Sequence, residues 1–203
     1  MLRKTALTLT LTALPGFALA APEGWQPLLA PSDLSALLER GEDIHIIRVT
    51  GDFEAGHIPG AVFSPYSEWR AGPTNPGALK PELEYESEAV RVGVTADRPT
   101  VIVHNGDSPS DMGAAARVYW TLKSLGVQDL ALLNGGYQAW AAAGLPTAKG
   151  KVTPTESDFY AEWRDDWYIP TSEVVDLVES GEARLVDSRP EGFFEGITWS
   201  IAR

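Results

Sequence analysis

The sequence predicts an α/β domain of three layers, with a mainly parallel central sheet covered by helices on both faces. The first observation is an alternation of amphipathic stretches with short apolar runs rich in β-branched residues, between residues 31 and 146. Strands that alternate with helices in this way form parallel sheets. The second observation is an apolar content of 44%, which is sufficient for a packed core.

The first predicted helix begins at Pro31 and ends before Gly41. Pro31 and Ser32 suit a helix start, and a glycine commonly ends a helix. Between them, apolar residues recur at helical spacing at Leu34, Leu37 and Leu38. A mostly apolar run from 44 to 49 follows, and it predicts a buried strand.

Two further apolar runs, 100–104 and 130–133, predict two more buried strands. The segment between them predicts a helix from about residue 110 to 125, which ends at Gly126. A short helix is predicted over 134–143, and Gly144 and Pro146 end it. Each of these helices carries a tryptophan, Trp120 and Trp140, that we expect to be buried against the sheet.

The first twenty residues have the three features of a cleavable signal peptide. Arg3 and Lys4 form a positive start, 6–14 is mostly apolar, and Ala18-Leu19-Ala20 resembles a cleavage site. The apolar stretch is too short to span a bilayer. We therefore expect an exported protein, periplasmic or secreted, with no membrane anchor after cleavage.

Charge excludes one broad class of partner. Cleavage after Ala20 removes two of the 16 basic residues and none of the 28 acidic residues, which leaves a net charge of −14. Nucleic acids and anionic membranes are bound through clustered lysine and arginine, so an acidic surface of this kind repels both. No nucleic-acid partner is expected.

The apolar spacing of the first predicted helix, together with its final glycine, recurs 140 residues later. Leu34, Leu37 and Gly41 correspond to Val174, Leu177 and Gly181, and a short apolar run at 185–186 follows. One helix and one strand cannot bury their apolar faces alone, and a domain needs roughly 100 residues. We therefore expect a complete domain over 21–146, an aromatic-rich inter-domain linker over 147–169 that packs on it, and a truncated second copy over 170–203.

Two motifs identify the family that the sequence resembles. Residues 53–61 read FEAGHIPGA, and residues 134–140 read NGGYQAW. Together they resemble the rhodanese-like sulfurtransferases, which act on thiosulfate or 3-mercaptopyruvate through a cysteine persulfide and need no cofactor. The chain contains no cysteine. A thiolate is the nucleophile that forms a persulfide, so the resemblance implies a catalytically silent first domain of a tandem protein.

The resemblance also places the family's active-site loop after the predicted strand 100–104. Asn105 then matches the position of the nucleophilic cysteine, and the loop continues with Gly106, Asp107, Ser108, Ser110 and Asp111. Asparagine has no titratable proton and cannot carry sulfur. In the family, loop amides at a helix start hold the sulfur anion. This loop is acidic and lacks the family's arginines, which opposes an anion there.

The second copy retains Asp187-Ser188-Arg189. By resemblance, Arg189 corresponds to an arginine that holds a small anionic sulfur donor in the complete protein. A structural ion pair between Arg189 and Asp187 is an equal alternative. In the complete protein, the remainder of the second domain is the other expected partner.

The remaining motif residues are expected to be structural. Gly56, His57, Pro59 and Gly60 form a turn in which His57 fixes the loop through a backbone hydrogen bond. At Gly135 and Gly136, before Trp140, we expect backbone conformations or close approaches that a Cβ would obstruct. His45 alternates with strand residues and is expected to be partly exposed.

Two alternatives stay open on the sequence alone. His104, Asp107 and Asp111 have metal-binding side chains, but their spacing matches no known metal motif, so no metal site is predicted. A non-catalytic rhodanese-like module that binds a partner or regulates it is the alternative to a portion of an enzyme. A cysteine leading a Gly-rich loop beyond Arg203 would favour the enzyme.

Overall fold

A computed structural model describes residues 21–197, and the predicted signal peptide lies outside the described residues. Five parallel strands form the sheet in the order β1-β5-β4-β2-β3. The strands are β1 (Leu28–Leu29), β2 (His45–Arg48), β3 (Val62–Phe63), β4 (Thr100–Val103) and β5 (Leu130–Leu133). The predicted α/β class with a parallel central sheet is confirmed.

Six α-helices accompany the sheet in residues 21–197. They are α1 (Pro31–Glu39), α2 (Glu82–Arg91), α3 (Pro109–Ser124), α4 (Gly136–Ala142), α5 (Thr171–Ser180) and α6 (Glu191–Phe194). Short 3-10 helices occur at Tyr66–Trp69 and Asp165–Trp167. None of the helices in this part of the chain has the length and apolarity needed to cross a membrane.

The side chains of successive strand residues point to opposite faces of the sheet and contribute to two hydrophobic cores, one on each face. Ile47 and Ile102 pack with α2 and α3, whereas Ile46 and Val101 pack with α1 and α4. This alternation follows from the period of two along a strand. Helices cover both faces, as the sequence predicts, because parallel strands must bury both of their faces.

The segment 147–169 contacts the domain in both halves, since Ala148 pairs with His57 and the second half packs on the core. Phe159 and Ala161 are buried in the core beside α2 and α3. The backbone nitrogen of Arg164 donates to the carbonyl of Ser124 over 2.7 Å, and that of Ser157 donates to the carbonyl of Val90 over 3.1 Å. This stretch, here called the strap, therefore packs on the domain, as its aromatic composition predicts.

The segment 171–197 differs, since none of its residues is buried. Helix α5 is amphipathic, yet Val175 and Val178 on it are 47% and 46% exposed. Neither helix of the segment, α5 or α6, contains a buried residue.

Two expectations about single side chains are wrong. His45 is buried, with only 5% of its surface exposed, because helix-covered faces lie on both sides of β2. Trp120 is only partly buried. Its indole nitrogen donates to the carbonyl of Trp167 over 2.7 Å, and its ring meets Trp163 edge to face, so it anchors the strap and lies outside the core.

Candidate functional site

Three chain segments converge at the carboxyl edge of the sheet. β2 leads into Val49 and Thr50, β4 leads into the loop 104–108 before α3, and β5 leads into Gly135 and α4. β4 lies in the middle of the sheet, between β2 and β5. Ligand sites of parallel α/β sheets form at this edge, where loops join strands to helix starts.

Asn105 is held by four hydrogen bonds. Its backbone nitrogen donates to Thr50 Oγ1 over 2.8 Å, and its carbonyl accepts from the backbone nitrogen of Gln138 over 2.9 Å. Its side-chain amide donates to Asp107 Oδ2 over 2.7 Å, while its side-chain oxygen accepts from Arg48. Asn105, which the family resemblance matches to the cysteine position, is thus a fixed structural amide.

The backbone N–H groups of Gly106 and Asp107, here called the amide cradle, point at one side chain. Gly106 N lies 2.5 Å and Asp107 N 3.2 Å from Asp111 Oδ2, and both donate to it. Thr50 Oγ1 donates to the other oxygen of the same carboxylate. Amides at the start of a helix favour a negative charge. The Asp111 carboxylate therefore occupies the place where the loop could bind an anion.

The pKa of Asp111 reflects this surrounding. Burial alone would raise it, but hydrogen bonds from Thr50, from the Gly106 and Asp107 amides and from His104 outweigh burial and lower the pKa. His104 Nδ1 lies 3.2 Å from Asp111 Oδ2. Asp111 is consequently a carboxylate at neutral pH.

Arg48 is the residue that the sequence analysis missed. It ends β2, is 2% exposed, and donates to the Gly56 carbonyl as well as to Asn105. Its guanidinium carbon lies 4.3 Å above the centre of the Tyr137 ring. Burial lowers its pKa, while Tyr137 and three nearby aspartates act in the opposite direction. The loop lacks arginines, but a cation reaches it from the neighbouring strand.

Arg48, Asp107 and Asp111 together give the site one positive and two negative charges. Asp107 is bonded to Asn105 and also accepts from the side chain of Gln138. A second anion would meet a net negative charge here, which raises its free energy of binding.

The other predicted loop residues have local roles. Ser108 caps α3, because its hydroxyl accepts from the backbone nitrogen of Asp111 over 3.2 Å. Ser110 is exposed in the first turn of that helix. Of the three residues considered for a metal, His104 and Asp111 meet, whereas Asp107 bonds to Asn105 and Gln138.

The two sequence motifs meet beside Arg48. A Cβ on Gly56 would collide with the hydroxyl of Tyr137. Gly135 and Gly136 have φ of +71° and +65°, and a Cβ on Gly136 would collide with the carbonyl of His104. The turn at Gly56 and the Gly135-Gly136 pair therefore both exclude a Cβ, as the sequence predicts. Gly60, which lies in the same turn as Gly56, has φ of +80°.

His57 and Trp140 are structural in the expected way. His57 is 1% exposed, its Nδ1 lies 2.9 Å from the Phe53 carbonyl, and its ring stacks on Phe53 at 4.0 Å. Pro59 belongs to the same turn. Trp140 is 2% exposed, and its indole nitrogen donates to the Pro146 carbonyl over 2.7 Å.

Arg189 does not join this cluster in the described residues. Its guanidinium forms an ion pair with Asp187, with the closest nitrogen and oxygen 2.5 Å apart. Side-chain and backbone hydrogen bonds from Arg189 lower the pKa of Asp187 to about 2. The structural alternative for Arg189 is thus present in this segment, and its substrate role stays a prediction.

Known proteins resemble this chain in sequence. The sequence profile of the Rhodanese-like domain matches residues 30–143, which is more than half of the chain. The 3-mercaptopyruvate sulfurtransferase of Homo sapiens is 33% identical over 181 residues, which cover 88% of this chain and 58% of that protein. The thiosulfate sulfurtransferase of Gallus gallus is 30% identical over 148 residues, which cover 71% of this chain and 50% of that protein. The chain thus spans half to three-fifths of the length of these relatives.

Solved structures agree on the fold. The 3-mercaptopyruvate sulfotransferase SseA of Escherichia coli superposes with a TM-score of 0.67 at 23% identity, over 83% of this chain and 67% of that one. The anaerobic ergothioneine biosynthesis enzyme of Chlorobium limicola superposes with a TM-score of 0.61 at 20% identity, over 75% of this chain and 41% of that one. With the profile match over 30–143, the parallel sheet and the two glycine motifs, the chain belongs to the rhodanese-like sulfurtransferase family.

Proposed function

We propose that this chain is the non-catalytic first portion of an exported two-domain sulfurtransferase, whose second domain carries the persulfide-forming cysteine. The observation that carries the proposal is the state of Asn105. It stands where the family has its nucleophile, yet its amide and backbone are fixed by four hydrogen bonds. Because this site has no group that can accept sulfur, its role in the complete protein is structural. It provides a rigid surface on which the neighbouring domain packs.

Three observations support the second domain. The pattern of α1 recurs at an offset of 140 residues in α5, and the tail 171–197 buries none of its residues. Similarity to the human relative also extends over 88% of the chain, well past residue 143. Exposed apolar faces such as that of α5 mark surfaces that a partner covers. In this proposal, the partner is the remainder of the same domain.

The substrate class follows from the relatives and from Arg189. The curated relatives are named as sulfurtransferases for 3-mercaptopyruvate or thiosulfate. Both of these are small anions, and a guanidinium suits a carboxylate or a thiosulfonate group. We propose that the complete protein takes a sulfur atom from one of them onto its cysteine, with Arg189 among the residues that hold the donor.

Sequence and assay together test this proposal. Added to Asn105, the repeat offset places the counterpart loop at position 245, which is 42 residues past Arg203. We expect the continuing coding sequence to encode a cysteine followed by a Gly-rich loop near that position. With thiosulfate or 3-mercaptopyruvate and cyanide, the complete protein should form thiocyanate, and replacing that cysteine by serine should abolish turnover.

Residues 1–203 alone should form thiocyanate only at the rate seen without protein. Either of two results contradicts the proposal: no cysteine near that position, or turnover that survives the cysteine replacement. The first result would favour a non-catalytic binding module, and the second would show that the nucleophile lies elsewhere in the complete protein. Export is tested separately, by fractionating cells and measuring the mass of the mature protein, which should begin at Ala21.

A further inference from the structure

Two Asn-Gly dipeptides lie at the functional edge of the sheet, Asn105-Gly106 and Asn134-Gly135. This dipeptide can cyclise within the chain, since the backbone nitrogen of glycine can attack the side-chain carbonyl carbon of the preceding asparagine. Glycine permits the approach because it lacks a Cβ. From the sequence alone, the two dipeptides are expected to react equally fast. Their hydrogen-bonding surroundings in the structure are different.

In Asn105-Gly106, hydrogen bonds hold both reacting groups, the side-chain amide of Asn105 and the backbone nitrogen of Gly106. Its side-chain oxygen accepts from Arg48 and its side-chain nitrogen donates to Asp107, so the side chain cannot turn towards Gly106 without breaking two hydrogen bonds to charged groups. The attacking nitrogen, Gly106 N, is itself held by Asp111 over 2.5 Å. Hydrogen bonds to charged groups are among the stronger ones in proteins, so this conformation resists the attack.

Asn134 has the opposite surroundings. It is exposed, and its backbone nitrogen donates to the Leu29 carbonyl over 2.9 Å. Within residues 21–197, neither its side-chain amide nor the backbone nitrogen of Gly135 makes a hydrogen bond. Gly135 has φ of +71°, a conformation that only a glycine adopts at low cost. No hydrogen bond in the described residues therefore holds either reacting group of this dipeptide.

We propose that Asn134 is a deamidation site, and that the network of Arg48, Asp107 and Asp111 protects Asn105 from the same reaction. The nitrogen of Gly135 forms a bond to Cγ of Asn134, and ammonia leaves with the side-chain nitrogen. A water molecule then opens the resulting five-membered imide at either carbonyl. The products are aspartate or isoaspartate at position 134, with no oxidation or reduction.

The modification acts on the candidate site through α4. The backbone nitrogen of Tyr137 donates to the His104 carbonyl over 2.8 Å, and that of Gln138 donates to the Asn105 carbonyl over 2.9 Å. Isoaspartate adds a methylene group to the main chain between β5 and this helix start. It therefore displaces the first turn of α4, which fixes the loop at Asn105.

Peptide mapping of the aged protein tests the proposal. Purified protein is kept at mildly alkaline pH in heavy-oxygen water, digested, and analysed by mass spectrometry with separation of the aspartate and isoaspartate peptides. We expect position 134 to convert with uptake of one heavy oxygen, about tenfold or more faster than position 105. The Asn134→Gln variant should lose this conversion, because its longer side chain disfavours the five-membered ring.

An Asp111→Ala variant tests the protection itself. Freed of Asp111, Gly106 N should react, and conversion at position 105 should rise by about tenfold while position 134 keeps its rate. Circular dichroism of this variant establishes that it is folded during ageing. An Asn134 that stays intact, or an Asn105 that converts as fast as Asn134 in the wild-type protein, overturns the proposal. An unchanged rate at position 105 in folded Asp111→Ala overturns the protection by the network.

Discussion

The carboxylate of Asp111 accepts a hydrogen bond from the backbone nitrogen of Gly106, with Oδ2 and the nitrogen 2.5 Å apart. This bond places a charge from the chain itself in the amide cradle. The loop amides that could bind an anion are thereby engaged by the chain itself, and Asn105 in the same loop has no titratable side chain. The loop therefore has neither a thiol at position 105 nor an unengaged pair of amides at Gly106 and Asp107.

Removing the Asp111 carboxylate should destabilise the domain. Asp111→Ala leaves the amides of Gly106 and Asp107 and the hydroxyl of Thr50 without their acceptor, at a cost of about 2 kcal/mol in the free energy of unfolding. Chemical denaturation measures this difference. Asp158→Ala is the matched control, because Asp158 is exposed and its side chain makes no hydrogen bond within residues 21–197. Equal midpoints for the two variants would contradict the assigned role of Asp111.

Stability should fall in mild acid because of His45. Burial, and then the charge of Arg98, lowers its pKa from 6.5 to about 4, with Asp43 acting in the opposite direction. Below pH 6.5 the unfolded chain binds a proton that the folded chain does not bind until about pH 4. The free energy of unfolding should therefore decrease as pH falls through this window, by about 3 kcal/mol in total.

Denaturation series between pH 7 and pH 4 check the His45 prediction. A His45→Gln variant cannot take up the proton, so its stability should change less over the same window. Asp111 does not affect this comparison. Because its pKa is lowered in the folded state, its contribution to the free energy of unfolding is lost only as the pH falls below the ordinary aspartate range. Identical pH profiles for the variant and the wild type would refute the role given to His45.

Trp140 should contribute far more to stability than Trp167. Trp140 is 2% exposed in the core between α4 and the sheet, whereas Trp167 is 50% exposed on the strap. Trp140→Ala should lower the free energy of unfolding by about 3–5 kcal/mol, and Trp167→Ala by less than about 1 kcal/mol. Denaturation followed by circular dichroism compares them, and a similar loss in both variants would show that the core assignment is wrong.

The fold was predictable where apolar periodicity is strong. β5 begins and ends at the predicted residues, and α3 differs from the prediction by one residue at each end. Helix α2 gave no such signal, because its buried residues are Tyr85, Glu88 and Ala89, with no aliphatic stripe. Strands β1 and β3 have two residues each, too few for a period of two to be detected.

The site was predictable from motifs, but its network was not. Position 105 and the loop were identified from the family resemblance, whereas Arg48 was not identified at all. Its side chain reaches Asn105 across 57 positions of sequence, a contact that depends on the pairing of β2 with β4. Asp111 was interpreted as a repulsive charge, since local sequence cannot show that the loop amides turn towards it.

Limited proteolysis should distinguish the strap from the tail. Phe159 and Ala161 of the strap are buried, and none of residues 171–197 is. Cleavage by a non-specific protease tracks local opening, so trimming should stop near residue 170 and leave a resistant core. Mass spectrometry of the products locates the boundary. Equal resistance of the tail and the core would indicate that the tail docks on the domain.

The most direct test of the filled cradle is the thiol pKa of a cysteine placed at position 105. In Asn105→Cys, Arg48 favours the thiolate, while Asp107 and Asp111 oppose it and the amides remain engaged by Asp111. In Asn105→Cys with Asp111→Ala, one opposing charge is gone and the Gly106 and Asp107 amides are free. We expect the thiol pKa, measured from the pH dependence of alkylation, to be lower in the double variant by about one pH unit or more. Asn105→Cys with Asp158→Ala is the control and should titrate like the single variant. The same thiol pKa with and without Asp111 would contradict the conclusion that this carboxylate fills the anion position of the loop.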